Sequence, residues 1–259
     1  MWKVASAIRA VPVMELWPSG FASASGEPSH RMLRRLRAGV VGVAGKAAIS
    51  GRVCEGKAEA REPPLRTTLD LGREILESVR VGIAHHLGWA VAVTASAGHE
   101  AVDRRRIELI ESGMPAAPIE HEARALDDHA SARMVTEVRA SALRATSASL
   151  DQLAASLPEP IVSISLRAWP LDFPDDIVVQ RRPPYESRAD SVMYCQVLAE
   201  CAHVRGWAVH LFDAKAVEAQ AARVLGARAG DVLHGPRATL GPPWTRDHRI
   251  ALAATIVAR

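Results

Sequence analysis

Cysteine is scarce in this chain: three residues in 259, Cys54, Cys195 and Cys201. An odd and sparse set provides no disulfide framework and points to a reducing, cytoplasmic compartment. Cys195 and Cys201 lie six apart, on different sides of a helix, so they read as small buried hydrophobes rather than two ligands of one metal. Long apolar runs are missing too. No stretch of about 18 uncharged apolar residues occurs, so no membrane span is expected. Lysine is confined to Lys3, Lys46, Lys57 and Lys215, with arginine carrying nearly all of the positive charge. With abundant Ala and Val, that bias follows a GC-rich, bacterial type of genome rather than a function. There is no pair of CxxC motifs, no HExxH, no GxSxG and no Walker loop, which removes several common enzyme classes and selects none. No cofactor follows from what remains.

What is present divides unevenly. Through Glu74 there are twelve Lys or Arg against seven Asp or Glu, a net +5, while the whole chain is +3 and the remainder therefore −2. The basic charge belongs to the N-terminal part, and it gives no argument for nucleic-acid binding by the rest. Residues 1–70 carry scattered Pro and Gly and no sustained period, and are expected to be a poorly ordered basic segment. A phosphate-contacting arm, a targeting segment and an upstream extension all fit its composition. Deleting residues 1–68 is expected to leave the remainder folded, with melting temperatures that agree within a few degrees. Residues 67–77, TTLDLGREILE, read as a short helix leading into the first strand.

Residues 71–259 read as one α/β domain. Val79, Val81 and Ile83 alternate, then Trp89, Val91 and Val93, and a third run spans Val102 to Ile110. Gly-containing turns separate them, the pattern of an antiparallel three-strand meander. A helix follows over about 131–157, ended by Pro158 and Pro160. Then come a strand at 161–166, a Pro-rich loop at 167–184, a helix at 187–205, a strand at 207–212, a helix at 214–225 and a last helix at 245–257. A meander followed by alternating helices and strands predicts a mixed five-stranded sheet whose later strands are parallel.

That order resembles the ribonuclease H-like fold of Holliday-junction resolvases, integrases and actin-like ATPases. Resolvase-type members open with a strand carrying G-I-D before a Gly-containing turn; here Gly82-Ile83-Ala84 and then His85-His86-Leu87-Gly88-Trp89 stand in that place. The segments GIAHHLGWAVAV and LGPPWTRDHRIALAA also resemble those of an uncharacterised bacterial family. The resemblance implies an Asp on the first strand and further acids on later elements, holding two metals. In this sequence Ala84 takes the first place, 161–166 has no acid, and Asp247 alone matches. Mg²⁺- or Mn²⁺-dependent cleavage of nucleic acid is therefore not expected.

The same order brings His85, Asp247, His248 and Asp190 to one neighbourhood, with Tyr194 a turn further on. His85, Asp247 and His248 are the candidate catalytic residues, as an acid–base cluster. The plainer readings are a turn residue for His85, a helix N-terminal charge for Asp247, a cap for Asp190 and packing for Tyr194. His85 and Asp247 are expected on the same side of the sheet within about 8 Å, with the His85 pKa raised. Candidate binding residues are Trp89, Asp190 and Tyr194, the RRPPYESR stretch through Arg181, Arg182, Tyr185 and Arg188, and Trp244, which follows Pro242 and Pro243. The leading reading is a binding module for nucleic acid, a nucleotide or a partner protein; a hydrolase or phosphotransfer enzyme using the His/Asp cluster with one metal ion, and a structural or assembly subunit, are the alternatives, and a homo-oligomer is also open. His99 is expected to be solvated, and His121-Glu122 to help cap the long helix.

Overall fold

The computed structural model describes residues 78–258; the readings made of residues 1–77 lie outside them. The sheet has the strand order β3-β2-β1-β4-β5. Its strands are β1 Val79–His85, β2 Trp89–Ser96, β3 Ala101–Glu108, β4 Ile161–Arg167 and β5 Ala208–Phe212. β1–β2 and β2–β3 are antiparallel, and β4 and β5 continue parallel to β1. The mixed five-stranded sheet and the ribonuclease H-like order are as the sequence predicts.

Seven helices accompany it among the described residues: α1 Asp128–Ala155, α2 Ile177–Gln180, α3 Glu186–Val204, α4 Val217–Leu225, α5 Ala229–His234, α6 Pro236–Thr239 and α7 Arg246–Val257. The Asp127 carboxylate caps α1 by accepting from the Ala130 amide at 2.7 Å. This corrects the expectation for His121-Glu122: a separate 3-10 turn, Glu122–Ala125, precedes that cap. The stretch 167–184 is also less irregular than its prolines suggest, because Asp176 caps the short α2 within it. No described helix is long and apolar enough to cross a membrane.

β1 is central, and its two faces differ in side-chain size. Val79, Val81 and Ile83 face a core shared with α1 and α3, where Val138, Leu150, Leu153, Met193, Tyr194 and Leu198 are buried. The other face of β1 carries only Gly82 and Ala84 at its centre. α7 lies there with Ala251, Ala253 and Ala254 buried, beside Val217 and Ala221 of α4. Small residues meeting small residues let the helix axis approach the sheet closely. A Cβ at Gly82 would collide with the Ala251 carbonyl oxygen. That contact explains why an otherwise apolar strand is interrupted by Gly.

Candidate functional site

The turn after β1 is closed by the His86 amide donating to the Trp89 carbonyl at 2.8 Å. Gly88 holds φ +81°, a conformation that a side chain would strain. This tight turn sends consecutive histidines to opposite faces. His85 follows Val79, Val81 and Ile83 to the α3 side; His86 follows Gly82 and Ala84 to the α7 side.

His85 is 9% exposed. Its Nε2 lies 3.0 Å from Ser191 Oγ, and Cys195 Sγ lies 3.5 Å from Nε2 and 3.7 Å from Nδ1, both partners on α3. Burial first, then the positive Arg167, lowers its pKa to about 4. Burial pushes the Cys195 thiol up to about 12, and its S–H donates to the Arg167 carbonyl at 3.6 Å. Both groups are therefore neutral near pH 7. A Cys–His–Ser cluster whose burial opposes thiolate and imidazolium alike is a poor nucleophile.

Asp247 lies on the other face, at the start of α7, and its Oδ2 is 3.1 Å from His86 Nε2. The proposed His85–Asp247 pair is thus corrected on two points: the partner is His86, and the His85 pKa is lowered instead of raised. Placing His85 and Asp247 on opposite faces does not disturb the fold, because α3 and α7 cover different faces of this sheet. His248, on the same helix, is occupied structurally. Its Nδ1 accepts from the Thr245 amide at 3.1 Å and lies 2.7 Å from the Thr245 hydroxyl. This is a capping box with His in the third helical position. Burial and the nearby Arg104 lower the His248 pKa.

Trp89 is where a surface cluster forms. Its ring stacks on His86 with centroids 4.2 Å apart and planes 13° from parallel. The Arg106 guanidinium lies over the same indole at 4.1 Å, and Arg106 also pairs with Glu108 at 2.7 Å. The register of β2 and β3 produces this, because Val91 opposite Arg106 and Trp89 opposite Glu108 share the α7 face. His86 and Arg106 were missed in sequence, although strand parity alone puts His86 on the face of Ala84.

The remaining candidates divide by contact. Asp190 is buried and accepts the Ile119 and Glu120 amides, both at 3.0 Å, so it anchors the 117–120 turn instead of capping its own helix. Burial pushes its carboxyl up to about 6 against those two bonds. Tyr194 is fully buried, donates to the Ala116 carbonyl at 3.1 Å, and has its pKa raised by burial. Trp244 packs in the core under α7 and donates Nε1–H to the Leu233 carbonyl at 2.8 Å. Tyr185 is half-buried, edge-on to Phe173. Arg181 does not grip an external anion: it donates to the Ala123 and Leu126 carbonyls and pairs with Asp128. Arg182 and Arg188 are exposed, without side-chain partners among the described residues.

Arg104 and Arg205 behave like Arg181. Arg104 binds the carbonyls of Leu240, Gly241 and Pro242, and Arg205 binds those of Ser147 and Cys201 together with Asp151. Planar forks that reach several acceptors at once suit this use. The arginine-rich composition therefore serves loop carbonyls as much as any ligand.

On the α7 face of β4, the residues in register with Arg80 and Gly82 are Ser163 and Ser165. Among the described residues no three His, Cys, Asp or Glu side chains are grouped to hold a metal. No family model and no curated protein matches the sequence. A solved structure of T. thermophilus RuvC in complex with a Holliday junction substrate aligns with 69% of this chain and 90% of its own, at 10% identity and a TM-score of 0.40. At that distance the fold assignment rests on the order and direction of the strands themselves.

Proposed function

We propose that residues 71–259 form a binding module that does not cleave nucleic acid, and that its ligand meets it at the His86–Trp89–Arg106 corner beside Asp247. The observation that carries this is the stacked cluster itself. It is solvent-facing, combines aromatic, imidazole and guanidinium surfaces, and stands at the carboxyl end of the central strand, while Ala84 takes the place where the resemblance to ribonuclease H-like nucleases implies an acid. With His86 and Arg106 already against the Trp89 indole, a base or nucleotide fits such a corner by stacking on the outer side of the His86 ring or the Arg106 guanidinium, which Trp89 holds in place, and through the Arg106 cation. A location in the cytoplasm agrees with the free thiols of Cys195 and Cys201.

The test is fluorescence anisotropy with labelled single-stranded DNA and, separately, nucleotide competitors. Stacking on an aromatic is worth about 1–3 kcal/mol per base, so Trp89→Ala and Arg106→Ala are each expected to weaken binding by about tenfold or more. Equal affinity in wild type and both variants would remove this corner as the site. Incubation of duplex, single-stranded and branched DNA with Mg²⁺ or Mn²⁺ is expected to yield no cleavage. Cleavage that disappears in a folded Asp247→Asn variant would replace the binding reading with an enzymatic one.

A second reading has one specific observation behind it. Asp247 accepting from His86 Nε2 leaves Nδ1 as a base, the arrangement of an acid–base dyad. A hydrolase or phosphotransfer activity on that dyad predicts a rate that falls in both His86→Gln and Asp247→Asn.

A further inference from the structure

The turn from β2 to β3 is closed by two backbone bonds. The His99 amide donates to the Ser96 carbonyl at 3.0 Å, and the Ser96 amide donates to the Glu100 carbonyl at 2.9 Å. His99 holds φ +72°, and no other non-glycine among the described residues has a positive φ. Glycine is the usual occupant of that position in such a turn. Here Gly98 stands one residue too early, and an imidazole takes the left-handed place. Histidine tolerates that region better than most side chains but less well than glycine. Strain of this kind persists where the side chain itself is needed.

Two arginines reach this turn from different elements. Arg80 of β1 is opposite Ala95, just before the turn, and shares the α7 face with Gly82 and Ala84. Arg228 ends the 3-10 turn Gly226–Arg228 between α4 and α5, and its guanidinium donates to the Gly98 carbonyl at 3.4 Å. Burial first, then Arg80 and Arg228, lowers the pKa of the half-buried His99. The ring is therefore neutral near pH 7 and keeps one N–H to donate. Arg80 is half-buried too, yet neither arginine has an ion pair among the described residues. Asp103, the next acid along β3, is held by Arg105 at 2.8 Å, and Glu100 in the turn is exposed. Arg104, Arg181 and Arg205 are saturated by carbonyls or a carboxylate; Arg80 is not.

We propose that Arg80, His99 and Arg228 form an anion site that takes the phosphate of a small phosphomonoester. Such a phosphate carries close to two negative charges at pH 7, which two guanidinium forks match, while the imidazole N–H supplies a further donor. The three groups meet at one point instead of following a stripe, so they suit a single phosphate and not a polymer backbone. The site is near the start of β1, about 17 Å along the strand from His85, and is independent of the Trp89 corner.

The test follows the His99 ring signals of the full chain by NMR at pH 7. Inorganic phosphate and, separately, phenyl phosphate are added, with chloride holding the ionic strength constant. Both are expected to shift the ring signals saturably, with half-saturation at about 1 mM or below. Arg80→Gln and Arg228→Gln are each expected to raise that concentration by about tenfold or more. His99→Gly relieves the turn, so its melting temperature is expected to rise while phosphate binding weakens. Trp89→Ala is expected to leave phosphate binding unchanged. Should Arg80→Gln disturb β1, read from its amide signals, Arg228→Gln on the exposed turn carries the test. The absence of a saturable shift overturns the proposal, as does unchanged affinity in both arginine variants. A lower melting temperature in His99→Gly also overturns it, because the ring would then be a packing element. Binding of inorganic phosphate without phenyl phosphate would exclude the ester. Single-stranded DNA whose affinity falls in Arg80→Gln, with no response to either small phosphate, would replace the site with a backbone contact.

Discussion

Gly82→Ala is expected to cost the domain about 3 kcal/mol or more, a large share of the roughly 5–15 kcal/mol that holds a typical domain folded. Overpacking a side-chain contact can be relieved by a rotamer change. Here the added methyl meets the Ala251 carbonyl of a packed helix, so β1 and α7 must separate along their shared face. Ala251 and Thr255, the two residues of α7 that lie against Gly82, would lose contact with the strand. Urea denaturation followed by circular dichroism measures the effect. Gly98→Ala is the matched control: its added methyl has only Ser96 Oγ within reach, at an ordinary 3.7 Å, and a change within about 0.5 kcal/mol is expected. Equal stability of the Gly82 variant and the control would mean that α7 does not press on β1 as described.

Acid should weaken the fold through His85. Its folded pKa is about 4 against an ordinary 6.5, because burial disfavours the imidazolium and Arg167 repels it. A lowered pKa means that the unfolded chain binds the proton more readily. The stabilisation is therefore fully present above pH 6.5, is lost as pH falls toward 4, and changes no further below that. The gap corresponds to about 3 kcal/mol. His85→Gln keeps a polar group near Ser191 without a titration in this range, and is expected to flatten the stability profile between pH 6.5 and 4. Asp190 acts in the opposite direction over much of the same window. Its carboxyl is raised from 3.8 to about 6, so its contribution is largest below pH 3.8 and declines as pH rises through 6. The wild-type profile contains both effects, and the difference between wild type and His85→Gln isolates the first. An NMR titration offers a direct check. The His85 ring should titrate near pH 4 and keep that value in Asp247→Asn, whereas a midpoint at or above 6.5 would contradict the buried, neutral ring.

The two histidines show where sequence reading reached and where it stopped. Alternation at Val79, Val81 and Ile83 was enough to place β1, and the turn chemistry after it was enough to start an antiparallel meander. The same alternation carried His85 to the face of Ile83 and His86 to the face of Ala84. Asp247 could be placed near the end of β1 but not on a face, because a helix far along the chain covers either side of a sheet without any local signal. Pairing Asp247 with His85 rather than His86 was the result. The arginines failed for a related reason. RRPPYESR looked like an anion grip, but Arg181 finds the carbonyls of Ala123 and Leu126, more than fifty residues away in sequence.

By itself, then, the amino-acid sequence determined the elements and their order. Strand and helix periods are local, and a meander followed by parallel crossovers leaves few topologies open. It also put Ala84 at the place on the first strand where the resemblance implies an acid. Tertiary structure alone decided which polar groups meet. Asp190 holds the amides of Ile119 and Glu120, Asp247 holds His86, and Arg104 holds the loop before α7. Each pairing spans many residues and depends on the register of β3 against β2 or on the face that α3 or α7 covers. Burial, which turns His85 into a neutral ring and Cys195 into an inert thiol, likewise arises only when α3 closes over the sheet and water is excluded.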